Sequence, residues 1–171
     1  KENKLKNSIN KFFEFPETIN EVSARFVAAG VFVLSLIGLV FIQLESNLGF
    51  LFNLILIIGF LARVSSGPKW SPLAIFVTKI LVPNLKFDEK IVPGPRKRFA
   101  QAIGLAVSLS IFIFLLLGIK VLSLALLTIL MIFAFLESAF GFCFGCKIFS
   151  NLMRAGLIPE RVCEKCANFS I

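Results

Sequence analysis

Apolar residues along this chain gather into four long runs, broken by a charge only in the fourth. The first, Phe26–Leu44, is closed by Glu45, and the second, Ser46–Ala62, by Arg63. The third, Phe99–Ile119, is closed by Lys120, and the fourth starts at Val121 and continues to Cys146, interrupted by Glu137. A hydrocarbon core about 30 Å thick asks for about 20 apolar residues per helix, so each run predicts a transmembrane helix, the second borrowing flanking residues. The breaks at Glu45 and Lys120 leave no route except an antiparallel return. The predicted fold is therefore all-α: a polytopic membrane protein whose four transmembrane helices form two antiparallel hairpins.

That pattern divides the chain into an amino-terminal segment (1–25), a first hairpin (26–62), a basic central loop (63–98), a second hairpin ending in a cysteine pair (99–150) and a cysteine-containing tail (151–171). Two shorter apolar stretches fall outside the runs. Ile9–Phe15, stopped by Pro16, and Leu73–Val82, between Pro72 and Pro83, are too short to span and predict helices lying in the interface. A re-entrant hairpin is the sharper alternative for the second, and it would carry Lys79 into the apolar layer. Residues 1–25 mix basic and acidic groups without an apolar core and cleavage site, so they do not read as a secretory signal.

Composition agrees with lipid as part of the solvent: 57% of residues are hydrophobic and 16% charged, too little polar surface to wrap a soluble core. The net charge of +8 raises the question of nucleic acid. Its distribution answers it, because all of the 18 lysines and arginines except Lys120 flank the runs on one side. Basic residues hold loops in the cytoplasm, which predicts both termini and the central loop there and no nucleic-acid partner.

The chain contains no histidine, which excludes imidazole chemistry and leaves cysteine as its strong nucleophile and soft ligand. Four cysteines form two Cys-x-x-Cys pairs, Cys143 with Cys146 and Cys163 with Cys166. Counting about 1.5 Å per residue from Val121 puts Glu137 inside the hydrocarbon near its cytoplasmic edge and Cys146 just beyond it. Cytosolic thiols are kept reduced, which disfavours a static clamp of two disulfides. Two readings stay open. In one, all four cysteines are ligands of a structural zinc ion, a reading their spacing fits, and the ion pins the tail to the fourth span. In the other, Cys143, Cys146, Cys163 and Cys166 are catalytic in a dithiol relay that exchanges disulfide or carries persulfide sulfur. On a continuous fourth helix Cys143 would sit towards a carboxyl-terminus, where the dipole disfavours a thiolate. Cys163, after Pro159 and Glu160, has the better expected setting.

Glu137 is a candidate functional carboxylate, with Arg63 and Arg98 as expected partners at the same depth. Gln43, Asn53 and Gln101 are expected to bond between helices. Gly141 and Gly145, four apart, are expected to allow a close helix crossing beside the cysteines.

The strings Asn20-Glu-Val-Ser-Ala-Arg25, Gly67-Pro-Lys-Trp-Ser-Pro-Leu-Ala74, Pro93-Gly-Pro-Arg-Lys-Arg-Phe-Ala-Gln101, Glu137-Ser-Ala-Phe-Gly-Phe-Cys-Phe-Gly-Cys146 and Gly156-Leu-Ile-Pro159 resemble an uncharacterised bacterial four-span membrane family, domain of unknown function 4395. The resemblance covers nearly the whole chain, and Gly-Phe-Cys-x-Gly-Cys is its most specific part. It implies a multi-pass protein of the bacterial inner membrane and assigns no reaction. It also implies thioredoxin-like or rhodanese-like sulfur carriers as partners, tilting the choice towards thiol or sulfur chemistry. A zinc-stapled structural protein, and a small transporter or accessory subunit of a membrane complex, are the alternatives.

Overall fold

The computed structural model describes residues 18–67, 75, 77 and 91–157, which form five helices and two short strands. In chain order these are β1 (Thr18–Asn20), α1 (Glu21–Gln43), α2 (Leu48–Ser66), β2 (Ile91–Pro93), α3 (Gly94–Leu116), α4 (Lys120–Phe140) and α5 (Phe144–Arg154). The expected spans are present as α1 to α4, each long and apolar enough to cross a membrane. Helices α1 and α3 start earlier than their apolar runs, because hydropathy marks the lipid-embedded stretch whereas capping marks the helix. The Asn20 side chain accepts from the Val22 amide at 2.9 Å, and Pro95 fits the first turn of α3, where an N–H has no partner to lose. Charged first turns follow, carrying Glu21 and Arg25 on α1 and Arg96, Lys97 and Arg98 on α3.

Each long helix packs against its neighbour in sequence, and α4 closes back onto α1, giving a four-helix bundle of two hairpins. The turn after α3 is a left-handed cap at Gly118, with the Ile119 amide reaching back to the Phe114 carbonyl at 2.9 Å. Leu56, Ile111 and Leu127 are the most deeply buried side chains of the core, with Val31, Phe60 and Ala134 around them. The outer faces carry exposed Val33, Leu36, Ile58, Leu61, Ile113 and Ile132, the inside-out partition that lipid permits. Between hairpins, the Asn53 carboxamide donates to the Ser108 carbonyl at 3.2 Å, an interhelical bond of the expected kind.

At the end of the bundle that carries the basic residues, β1 pairs antiparallel with β2, Ile19 opposite Val92. This clasp joins the heads of α1 and α3 and was not foreseen in the sequence. The interfacial helix predicted over 9–15 lies outside the described residues. Of the one predicted over 73–82, Ile75 and Val77 are described, and Val77 is buried against Val27 of α1.

The fourth apolar run departs from expectation. It does not continue as one helix to Cys146: α4 ends at Phe140, Gly141 takes a left-handed conformation with φ 68°, and a separate amphipathic helix, α5, begins at Phe144. The Arg25 guanidinium fastens this break, donating to the Ser138 and Ala139 carbonyls at 3.2 and 2.6 Å, the orphan acceptors of α4's last turn.

Candidate functional site

The break after α4 changes the chemistry of the first cysteine pair. Cys143 is the amino-terminal cap residue of α5 and Cys146 lies in its first turn, so the pair stands at a helix amino-terminus and not, as the continuous helix would have it, at a carboxyl-terminus. There the free N–H groups and the dipole favour a thiolate. Gly145 lets this turn press against α3, where an added Cβ would come within 2.6 Å of Ala100. Gly141 serves the chain reversal instead, so the two glycines do not share one helix face. Ring pairs brace α5 from both sides, Phe144 stacked on Phe133 at 4.6 Å and Phe149 tilted on Phe99 at 5.5 Å.

The Cys143 and Cys146 sulfurs are 2.7 Å apart, and each residue is 8% exposed. A disulfide bond is about 2.05 Å long, so closing one asks for well under an ångström of sulfur movement. Cys146 Sγ also faces the Arg96 carbonyl at 3.6 Å. Hydrogen bonding from Cys143 holds the Cys146 thiol below its ordinary range, with Lys97 and Arg96 assisting against burial. Cys143 is pushed the other way, first by the bond it makes to Cys146, then by burial and by the Glu137 carboxylate. When the pair gives up one proton, the charge settles on Cys146, and Cys143 keeps its S–H as the donor.

Beneath the sulfurs lies an ion cluster. Lys97 of α3 donates to Glu137 of α4 at 2.5 Å. Arg63, 4% exposed near the end of α2, donates to the Gly59 carbonyl at 2.8 Å, lies over the Phe60 ring and acts electrostatically on Glu137. Arg98, at the head of α3, donates to the Val64 carbonyl at 3.0 Å. Lys97 was missed as Glu137's partner. The signal available was its spacing, since Lys97, Gln101 and Gly104 recur at i, i+4 and i+7 and share one face of α3.

A cavity of about 300 Å³ opens beside this cluster. It is lined by Asn20, Arg63, Lys97, Glu137 and Cys143 together with apolar residues of α1, α3 and α4 including Val31, Val107 and Leu130. Cys163 and Cys166 lie outside the described residues. Among the described residues no group of three or more potential ligands is placed to hold a metal ion, so a zinc site would need that second pair.

A model of the family described as Domain of unknown function (DUF4395) matches residues 19–154, from β1 to the end of α5. The chain belongs to this family. No curated protein and no solved structure matches the chain. Within this DUF4395 chain the matched residues take in Cys143, Cys146, Lys97, Glu137 and Arg63, whereas Cys163 and Cys166 fall beyond them.

Proposed function

We propose that this DUF4395 protein is a thiol–disulfide redox protein of the bacterial inner membrane, with Cys143 and Cys146 as its exchanging pair. The observation that carries the reading is the pair at the amino-terminus of α5 with sulfurs 2.7 Å apart. Lys97 beside it favours the Cys146 thiolate. In the oxidised form an incoming thiolate attacks Cys143 Sγ, a mixed disulfide forms, and Cys146 departs as the better leaving group because its thiol is the more acidic. A second thiolate on the same carrier then attacks the mixed disulfide. The carrier leaves as a disulfide and the pair gains two electrons and two protons. Thiol exchange fits better than persulfide transport, since Cys146, in contact with Cys143, would attack the inner sulfur of a persulfide there, close the disulfide and expel sulfide.

The basic end of the bundle lies on the cytoplasmic side, by the charge asymmetry of the loops. The carrier is a thioredoxin-like or rhodanese-like protein or the chain's own Cys163 and Cys166. Native mass spectrometry of the detergent-purified chain with differential alkylation tests the reading. Metal-free protein whose Cys143–Cys146 pair cycles between dithiol and disulfide with a small aromatic disulfide is the expected result. One tightly held zinc per chain, with every thiol protected, would overturn it.

A further inference from the structure

A pair that oxidises thiols repeatedly must pass on two electrons and two protons at each turn, and the proposed function leaves open where they go. The cavity beneath Cys143 supplies an answer. It meets the pair through Cys143, whereas Cys146 is turned towards the Arg96 carbonyl and is not among its lining residues. Its walls are apolar from Phe60 and Val31 to Leu130, residues of the helices long and apolar enough to cross a membrane, which suits a membrane-soluble molecule. Its volume, about 300 Å³, is at the lower end of the range of about 300–1,000 Å³ typical of small-molecule sites.

The polar side chains that line it include the two buried cations Lys97 and Arg63, the Glu137 carboxylate paired with Lys97, and Gln101, whose buried carboxamide oxygen has no hydrogen-bond partner. Such a set suits a flat apolar ring bearing carbonyl oxygens that become anionic on reduction. We infer, resting on the thiol redox reading above, that this cavity binds a lipid-soluble quinone and that Cys143 hands it the electrons of the pair.

The chemistry balances. Cys143 sulfur adds to a ring carbon of the quinone as its thiol proton is released, giving a carbon–sulfur adduct in which the ring oxygen takes negative charge beside Lys97 and Arg63. The Cys146 thiolate, already in contact, attacks Cys143 sulfur. The sulfur–sulfur bond forms, the carbon–sulfur bond breaks, and its electron pair stays on the ring. The two protons given up by the thiols complete the hydroquinone, whose new hydroxyl matches the empty acceptor of Gln101. Two thiols and one quinone become one disulfide and one hydroquinone.

The test uses full-length protein in lipid nanodiscs, reduced and freed of reductant, then mixed with a short-chain benzoquinone or naphthoquinone. The expected result is one quinone reduced per chain, read by absorbance, with loss of two thiols at Cys143 and Cys146. Val107→Phe and Val31→Phe, which fill the cavity from opposite walls, should each slow quinone reduction at least tenfold. Binding is read apart from chemistry in the Cys143→Ser/Cys146→Ser protein, whose Tm the quinone should raise. Exchange with a small aromatic disulfide but no quinone consumption and no Tm shift overturns the quinone inference and leaves the thiol reading standing. Failure of the exchange overturns the thiol reading itself. Quinone reduction at an unchanged rate in both folded cavity-filling variants overturns the cavity as the site, as does a cavity found occupied by a copurified lipid chain that quinone does not displace.

Discussion

Replacing Lys97 by Met removes the cation that meets Glu137 at 2.5 Å. Unit charges at that separation attract by about 7 kcal/mol at an effective dielectric of about 20. Desolvation of both ions offsets most of that, and breaking a buried pair costs about 3–5 kcal/mol net, chiefly through the stranded survivor. Here the survivor is not wholly stranded: the Glu137 side chain is 23% exposed, against 6% for Lys97, and Arg63 stays within electrostatic reach. The expected loss is therefore nearer 2–3 kcal/mol, or roughly 4–12 °C in Tm for a chain of this size. Thermal unfolding in detergent reads it, and a cycle with Glu137→Leu should recover part of the loss in the double variant. The thiols supply an independent readout. Lys97 lowers and Glu137 raises the proton affinity of Cys146, so Lys97→Met should make Cys146 less acidic and Glu137→Gln more acidic, although both destabilise the fold. Iodoacetamide rates against pH distinguish the two directions. Shifts of the same sign in both variants, or a Tm unmoved by Lys97→Met, would refute the electrostatic account.

In wild-type protein the pH at which Cys146 alkylation reaches half its maximum should lie below the ordinary thiol value of about 8.5, and Cys143→Ala should move it upward by removing the hydrogen bond that is the largest cause of the shift; mass-resolved alkylation across pH checks both. Gly145→Ala places a methyl within 2.6 Å of Ala100, which should cost about 1–3 kcal/mol in Tm measurements and slow disulfide exchange by tilting α5 away from Lys97. Arg25→Gln leaves the Ser138 and Ala139 carbonyls without their cap, an expected loss of about 1–2 kcal/mol, with hydrogen exchange rising first in the last turn of α4.

The spans were legible because a lipid environment imposes one simple demand, and runs such as Phe99–Ile119 meet it without ambiguity. The break at Gly141 was harder to read for the same reason. Phe142, Cys143 and Phe144 are as compatible with the bilayer as the helix before them, so hydropathy carries no mark of the turn. A glycine after an apolar run is a helix stop signal that needed to be weighed above hydropathy. The electrostatic setting of the first cysteine pair hung on that one residue. Lys97 was hidden by its company, since Arg96, Lys97 and Arg98 look alike as a basic cluster and differ in which way each points around α3. The clasp of β1 on β2 joins segments far apart in sequence, and neither strand is long enough to announce itself.

That clasp also bears on how the protein is put together. Helical hairpins can each settle into the bilayer before they meet, and the first brings Arg63 while the second brings Lys97, Glu137 and both sulfurs. The pairing of Thr18–Asn20 with Ile91–Pro93 joins the head of the first hairpin to the head of the second. Until the hairpins meet, the cavity beside Cys143 lacks the residues of α1 and α2 that line it. The strands thus act as a latch between the hairpins, holding together the two halves that jointly supply the charged cluster beside the cysteine pair.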